Sequence, residues 1–238
     1  MSDYDRNVAA FPGARAGQSA AVDAGLRAHM IRVYNYMAGG VALTGLVAYF
    51  TNQYLGQALY GSPMMWVLMF APLGLVFFLS YKIDSLSAST ARALFFVYAA
   101  LLGASLSIIF AVYTGSSITR VFFISAASFG ALSLWGYTTQ RDLTGMGSFL
   151  MMGLIGVVIA SLVNIFLKSS GLDWIISVIG VLVFAGLTAY DTQKIKEMYS
   201  PYDDGTVGAR KVVMGALSLY LDFINLFLML LRLFGDRR

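Results

Sequence analysis

The stretch Ser218 to Gly235, SLYLDFINLFLMLLRLFG, is apolar enough to sit in lipid, yet it carries Asp222, Asn225 and Arg232. An ionised Asp facing hydrocarbon at the middle of a span costs roughly 2.5–3.5 kcal/mol on insertion scales. A carboxyl kept there must turn into a bundle of helices and meet a partner, so the stretch predicts an all-α, polytopic membrane protein with a polar interior. Composition agrees. The chain is 58% hydrophobic and only 12% charged, about half the ~25% charged share of soluble domains, with a mean hydropathy of +0.73. That profile excludes a water-soluble globule.

Working outward, the apolar windows follow in quick succession at about 32–51, 63–81, 91–113, 118–137, 147–167, 173–194 and 208–234, which predicts seven transmembrane helices. Short breaker-rich connections such as GQALYGSP, TTQRDLTGMG and YSPYDDGTVG separate them. Residues 1–30, rich in Ala, Gly and charge, read as a flexible cytosolic tail, with room for a short amphipathic helix at its end, ahead of a transmembrane domain over 31–238. No apolar core precedes the small residues of that tail, so it is not a signal peptide.

With the N-terminus inside, eleven Lys and Arg fall on inner segments and five on outer ones, which favours a cytoplasmic N-terminus in a cell inner (plasma) membrane. Three of the five outer charges, Arg232, Arg237 and Arg238, lie at the C-terminus. A last segment that re-enters the bundle and returns the tail to the cytosol is therefore the alternative topology. The pI of about 9.3 reflects inner-leaflet loops facing anionic lipid and gives no reason to expect nucleic acid as a partner.

Several chemistries drop out. The chain has no cysteine and a single histidine, His29, which lies in the leader, so thiolate sites and intramembrane histidine clusters are absent. A rhomboid-like protease would need Ser and His together within the membrane. An aspartyl protease fits two Asp on adjacent helices better, but here the YD is followed by TQK rather than a glycine-rich loop. Neither GxxxxGK nor a zinc motif occurs. No enzymatic activity and no tightly bound cofactor are expected.

Two aspartates remain inside spans, Asp191 and Asp222. They stand 14 residues before and 17 residues after Gly205, the centre of the last break. At about 1.5 Å per residue, an antiparallel pair of helices sets them at similar depth, within about one turn. Ser218, Asp222, Asn225, Met229 and Arg232 step by 4, 3, 4 and 3 and form one stripe, while Thr188 and Asp191 share a face of the preceding helix. Two carboxyls meeting in a dry interior cannot both ionise cheaply; they share a proton, or a cation neutralises them. Losing the proton leaves either repulsion that parts the helices or an oxygen site suited to a hard cation such as Ca2+. The pair thus reads as a gate that closes on acidification and loosens as pH rises, with Asp191 and Asp222 as transient Ca2+ ligands. The rival reading is a polar contact that fixes helix register. Ser218, Thr188 and Asn225 serve either as pathway residues or as interhelical glue.

The runs FAPLGLVFFLSYKI, GYTTQRDLTGMGSFLMMGLIG, VIGVLVFAGLTAYDTQKIKEMY and GALSLYLDFINLFLMLLRLFG are similar to those of the bacterial Bax inhibitor-1 family, and the resemblance covers nearly everything after the leader. It implies a seven-helix fold and a pH-sensitive Ca2+ leak with a di-aspartyl sensor at the positions of Asp191 and Asp222. Family members can carry an arginine at the cytosolic end of the second span, where it helps hold the latch; here SYKID offers Lys82, a point charge without the bidentate fork of arginine. The resemblance also covers bacterial members that bind a membrane-anchored AAA protease, which makes a protease-modulating interaction protein the second reading.

Overall fold

The computed structural model describes residues 12–238, with side chains from Val22 onward. Residues 1–11 of the expected tail lie outside the described residues. The described residues are helical apart from short connections: α1 Pro12–Leu59, α2 Pro63–Lys82, α3 Ala88–Leu106, the single turn α4 Ile109–Val112, α5 Gly115–Thr138, α6 Thr144–Leu167, α7 Ser170–Glu197 and α8 Gly205–Phe234. Six of these regions, formed by α2, α3 with α4, α5, α6, α7 and α8, are long and apolar enough to cross a bilayer.

The expected seventh span is the exception. Residues 32–51 fall in the second half of α1, where Arg32, Tyr34, Asn35, Tyr36 and Thr44 dilute the apolar run, and α1 is not among the six. At 48 residues α1 measures roughly 72 Å at 1.5 Å per residue, more than twice the ~30 Å of a hydrocarbon core. The sequence 12–30, expected in the flexible tail, supplies its first turns; PGARAGQSAAVDAGLRAH is alanine-rich, and alanine is the strongest helix former. His29 and Met30 are already buried.

Helix starts are set by polar caps. Ser87, Thr114, Ser169 and Asp204 each accept a hydrogen bond from the first-turn amides of α3, α5, α7 and α8, and Pro63 opens α2 behind Ser62. These caps place the starts of α5, α7 and α8 three residues before the apolar windows at 118, 173 and 208, and α6, which has no side-chain cap, likewise starts three residues before 147. Lys168, in the left-handed region at φ 49°, closes α6.

α8 is the axis of the bundle. Of its apolar window 72% is buried, against 11% for α2 and for α6, which face outward. It packs against α7, α1, α5 and α3, and its buried residues cover all of the cylinder except one half-buried stripe, Met214, Ser218, Leu221, Asn225 and Leu228. It is continuous from Gly205 to Phe234 and does not re-enter. Close approach elsewhere depends on small residues: a Cβ at Gly136 of α5 would overlap the Ala189 carbonyl of α7, and one at Gly103 of α3 would strike the Thr44 backbone of α1. Thr44 donates to the Ala99 carbonyl at 2.9 Å and shares a 2.6 Å hydroxyl bond with Tyr220, which joins α1, α3 and α8.

Beyond α8 the chain folds back on the opposite end of the bundle from His29. Asp236 N–H donates to Ser117 Oγ (2.9 Å), Thr114 N–H to the Asp236 carbonyl (3.0 Å) and Arg238 N–H to the Val112 carbonyl (2.9 Å). Arg120 pairs with Asp236 at 2.9 Å, and Asp173 lies 3.7 Å from both Arg232 and Arg237.

Candidate functional site

α7 and α8 run antiparallel through the linker 198–204 and form the most extensive helix pair of the bundle. Their packing brings Asp191 and Asp222 face to face, close enough for the carboxyls to interact directly. Asp222 is 4% exposed, and its Oδ2 has no hydrogen-bond partner. Asp191 is half-buried. Among the described residues neither makes an ion pair with Lys, Arg or His. The positive charge that bears on the pair is Lys194, one turn after Asp191, whose ammonium lies 6.0 Å from the centre of the Tyr190 ring.

The other expected residues divide. Thr188 is fully buried one turn before Asp191, but its hydroxyl donates to the Phe184 carbonyl of its own helix at 2.7 Å. Ser218 is half-buried one turn before Asp222. Asn225 Nδ2 donates to the Leu221 carbonyl at 2.8 Å, also within its own helix. Lys82 is not brought to the pair by any hydrogen bond or ion pair among the described residues; it stands exposed at the end of α2, 5.5 Å from the centre of the Tyr81 ring.

A chain of hydroxyls that sequence reading passed over anchors α7. Thr192 donates to the Thr188 carbonyl (2.7 Å), so its oxygen accepts from Ser133 (2.8 Å), which in turn accepts from Tyr34 (2.6 Å). The three bonds tie α1, α5 and α7 together within one turn of Asp191. The available signal was the stripe Ser117, Val121, Ser125, Phe129 and Ser133 on α5, five residues repeating every four and all buried. Just past Asp191, Gln193 accepts from Leu143 N–H and donates to the Arg141 carbonyl, both at 2.8 Å, and Lys196 donates to the Tyr137 carbonyl at 2.9 Å. The loop after α5 is thereby pinned to α7. In that loop hydrogen bonds from Thr144 hold the Asp142 carboxyl below the ordinary carboxylate range.

Ca2+ takes six to eight oxygens, and among the described residues no group of three or more His, Cys, Asp or Glu is assembled. Two carboxyls are suited to a passing contact with a cation, completed by water.

The comparisons with known proteins agree with this architecture. The family described as "Inhibitor of apoptosis-promoting Bax1" matches residues 26–238. The inner membrane protein YbhL of Escherichia coli (strain K12) is 51% identical over 220 residues, covering 90% of this chain and 94% of that protein. The uncharacterized protein RP147 of Rickettsia prowazekii is 51% identical over 218 residues, covering 91% and 92%. A Caulobacter vibrioides protein is 46% identical over 253 residues and aligns along the full length of both chains. With a family match from residue 26 onward and relatives this similar over nine-tenths of their length, the chain belongs to the Bax inhibitor-1 family.

Proposed function

We propose that this protein is a proton-gated cation leak of the inner membrane, with Ca2+ as the permeant ion and Asp191 and Asp222 as its gate. One observation carries the reading: a buried carboxyl on the central helix faces a second carboxyl on α7, with no cation paired to either among the described residues. Two such groups in a dry interior hold one proton between them more cheaply than two negative charges. The shared proton joins α7 to α8. Its loss sets two charges against each other, and because α7 is anchored through Thr192, Gln193 and Lys196, the strain falls on the inner half of α8. The separated carboxylates then offer oxygen to a cation moving along that helix. The latch is closed below the pair's upper apparent pKa and opens above it. The name of the Escherichia coli relative supports the inner membrane as the location, and the distribution of Lys and Arg supports a cytoplasmic N-terminus.

Ca2+ flux into dye-loaded proteoliposomes, followed between about pH 5 and 9, tests this. Flux should rise with pH in the native protein, and the dependence should vanish in Asp191→Asn and in Asp222→Asn. Liposomes that stay tight at every pH, or variants that respond to pH as the parent does, would remove the gate and leave the pair a structural contact.

A further inference from the structure

His29, the chain's single histidine, is 3% exposed, and its Nε2 is buried with no hydrogen-bond partner. Its ring lies 5.7 Å from that of Tyr199, tilted by 47°. Tyr199 belongs to the linker between α7 and α8. Its hydroxyl end covers Gly25, one turn before His29, so closely that a Cβ there would overlap it. Gly25 and His29 thus form a notch on α1 in which Tyr199 is seated. The absence of a side chain at Gly25 makes the seat deep enough, and the imidazole forms its wall.

The charged and titratable neighbours come from each element packed here. They are Arg32 on α1, Lys211 on α8, and Asp203 and Tyr199 on the linker, with the Ile195 backbone of α7 beside the imidazole. Asp203 is already engaged by Lys211 through bonds of 2.9 and 2.7 Å. A neutral imidazole suits this setting. A protonated one would add a third cation beside Arg32 and Lys211, with the single nearby carboxylate taken and no water-facing surface to spread the charge.

We propose that His29 is a second proton-binding site, a histidine latch that docks the start of α1 on the α7–α8 linker and releases it on protonation. The direction follows from burial first and from the Arg32 and Lys211 charges second, which hold His29 below its ordinary 6.5. A histidine with a depressed value stabilises the docked state fully above 6.5, and that stabilisation is lost as pH falls toward and through the lower, docked value. This is the opposite sign to the aspartate pair, and it does not rest on that pair's role.

The cysteine-free background allows a direct test. Spin labels at Ala24→Cys and Tyr202→Cys, both exposed positions, report the distance between α1 and the linker in the full chain in lipid nanodiscs. At about pH 8 one short distance is expected; at about pH 5 a second, longer population should appear. The longer population should persist when Asp191→Asn and Asp222→Asn are added, and it should be absent in His29→Gln, whose amide stays neutral. The same pH response in His29→Gln, or no response in the His29 protein, overturns the proposal. A second measurement needs no substitution at His29. The imidazole NMR signal of the only histidine must titrate below 6.5, in step with release; titration at or above that value overturns the latch.

Discussion

The two ends of α8 are fastened in different ways. At the Phe234 end the following residues lie across the start of α5, held largely by main-chain amides and carbonyls: Asp236 on Thr114 and Ser117, Arg238 on Val112, and Arg237 bridged to Tyr113. Peptide groups do not titrate, so these bonds are indifferent to pH, and the ion pairs beside them, Arg120 with Asp236 and Asp173 with Arg232 and Arg237, are partly solvent-exposed. At the Gly205 end the contacts are side chains that change charge or depend on it: the aspartate pair, His29 against Tyr199, and Lys211 on Asp203. A central helix fixed mainly by backbone at one end and by buried ionisable groups at the other differs in what can disturb each attachment.

Deleting residues 235–238 removes the backbone attachment and leaves the other end of α8 intact. Losing three backbone-mediated bonds should cost roughly 2–4 kcal/mol at about 0.5–1.5 kcal/mol each. The loss would be read as a lower thermal unfolding midpoint in detergent, while the pH at which α1 and the linker separate should not move. A shift in that pH would show that the two ends are coupled. Next in size, Asp203→Asn removes the partner of Lys211 from a pair whose side chains are only 17% and 27% exposed. A cost of about 1–3 kcal/mol is expected, between surface and buried pairs. Because Asp203 is the group that supports a charge on His29, release of the latch should also move to lower pH, visible in the histidine NMR titration. The smallest effect is expected at Arg120→Gln. Its pair with Asp236 is 57% and 65% exposed, so the change in stability should stay below about 1 kcal/mol and shrink in high salt.

The aspartate pair was legible because both residues are charges within apolar runs, and because the spacing around Gly205 converts directly into depth. The last six helices were legible for the same reason. The start of α2 was read at Pro63, where it lies, but the later starts were not, since hydropathy rises only after the polar first turn; Ser117 and Thr206 to Val207 lie in first turns set by capping rather than apolar content. α1 was legible only in outline. Ala-rich 12–30 lacks an apolar core and yet is helical, whereas 32–51 is apolar in outline but carries enough polar side chains to fall outside the six spans. His29 looked like part of a leader because nothing nearby in sequence covers it; its cover, Tyr199, is 170 positions away. Lys82 shows the converse. Its place beside the second span was read correctly, but tertiary packing leaves it outside at the helix end.

The central position of α8 also bears on biogenesis. In chain order it leaves the ribosome after every other helix described here, although α1, α3, α5 and α7 all pack against it. Until it inserts, the nascent bundle has a vacant axis, and Asp191 waits in it without the carboxyl it will face. The helices that precede α8 are therefore threaded into the membrane before they have a core to settle on. Completion of the fold is a single late event, and a chain stalled before Gly205 would present an unmatched acidic group to whatever machinery surveys the membrane.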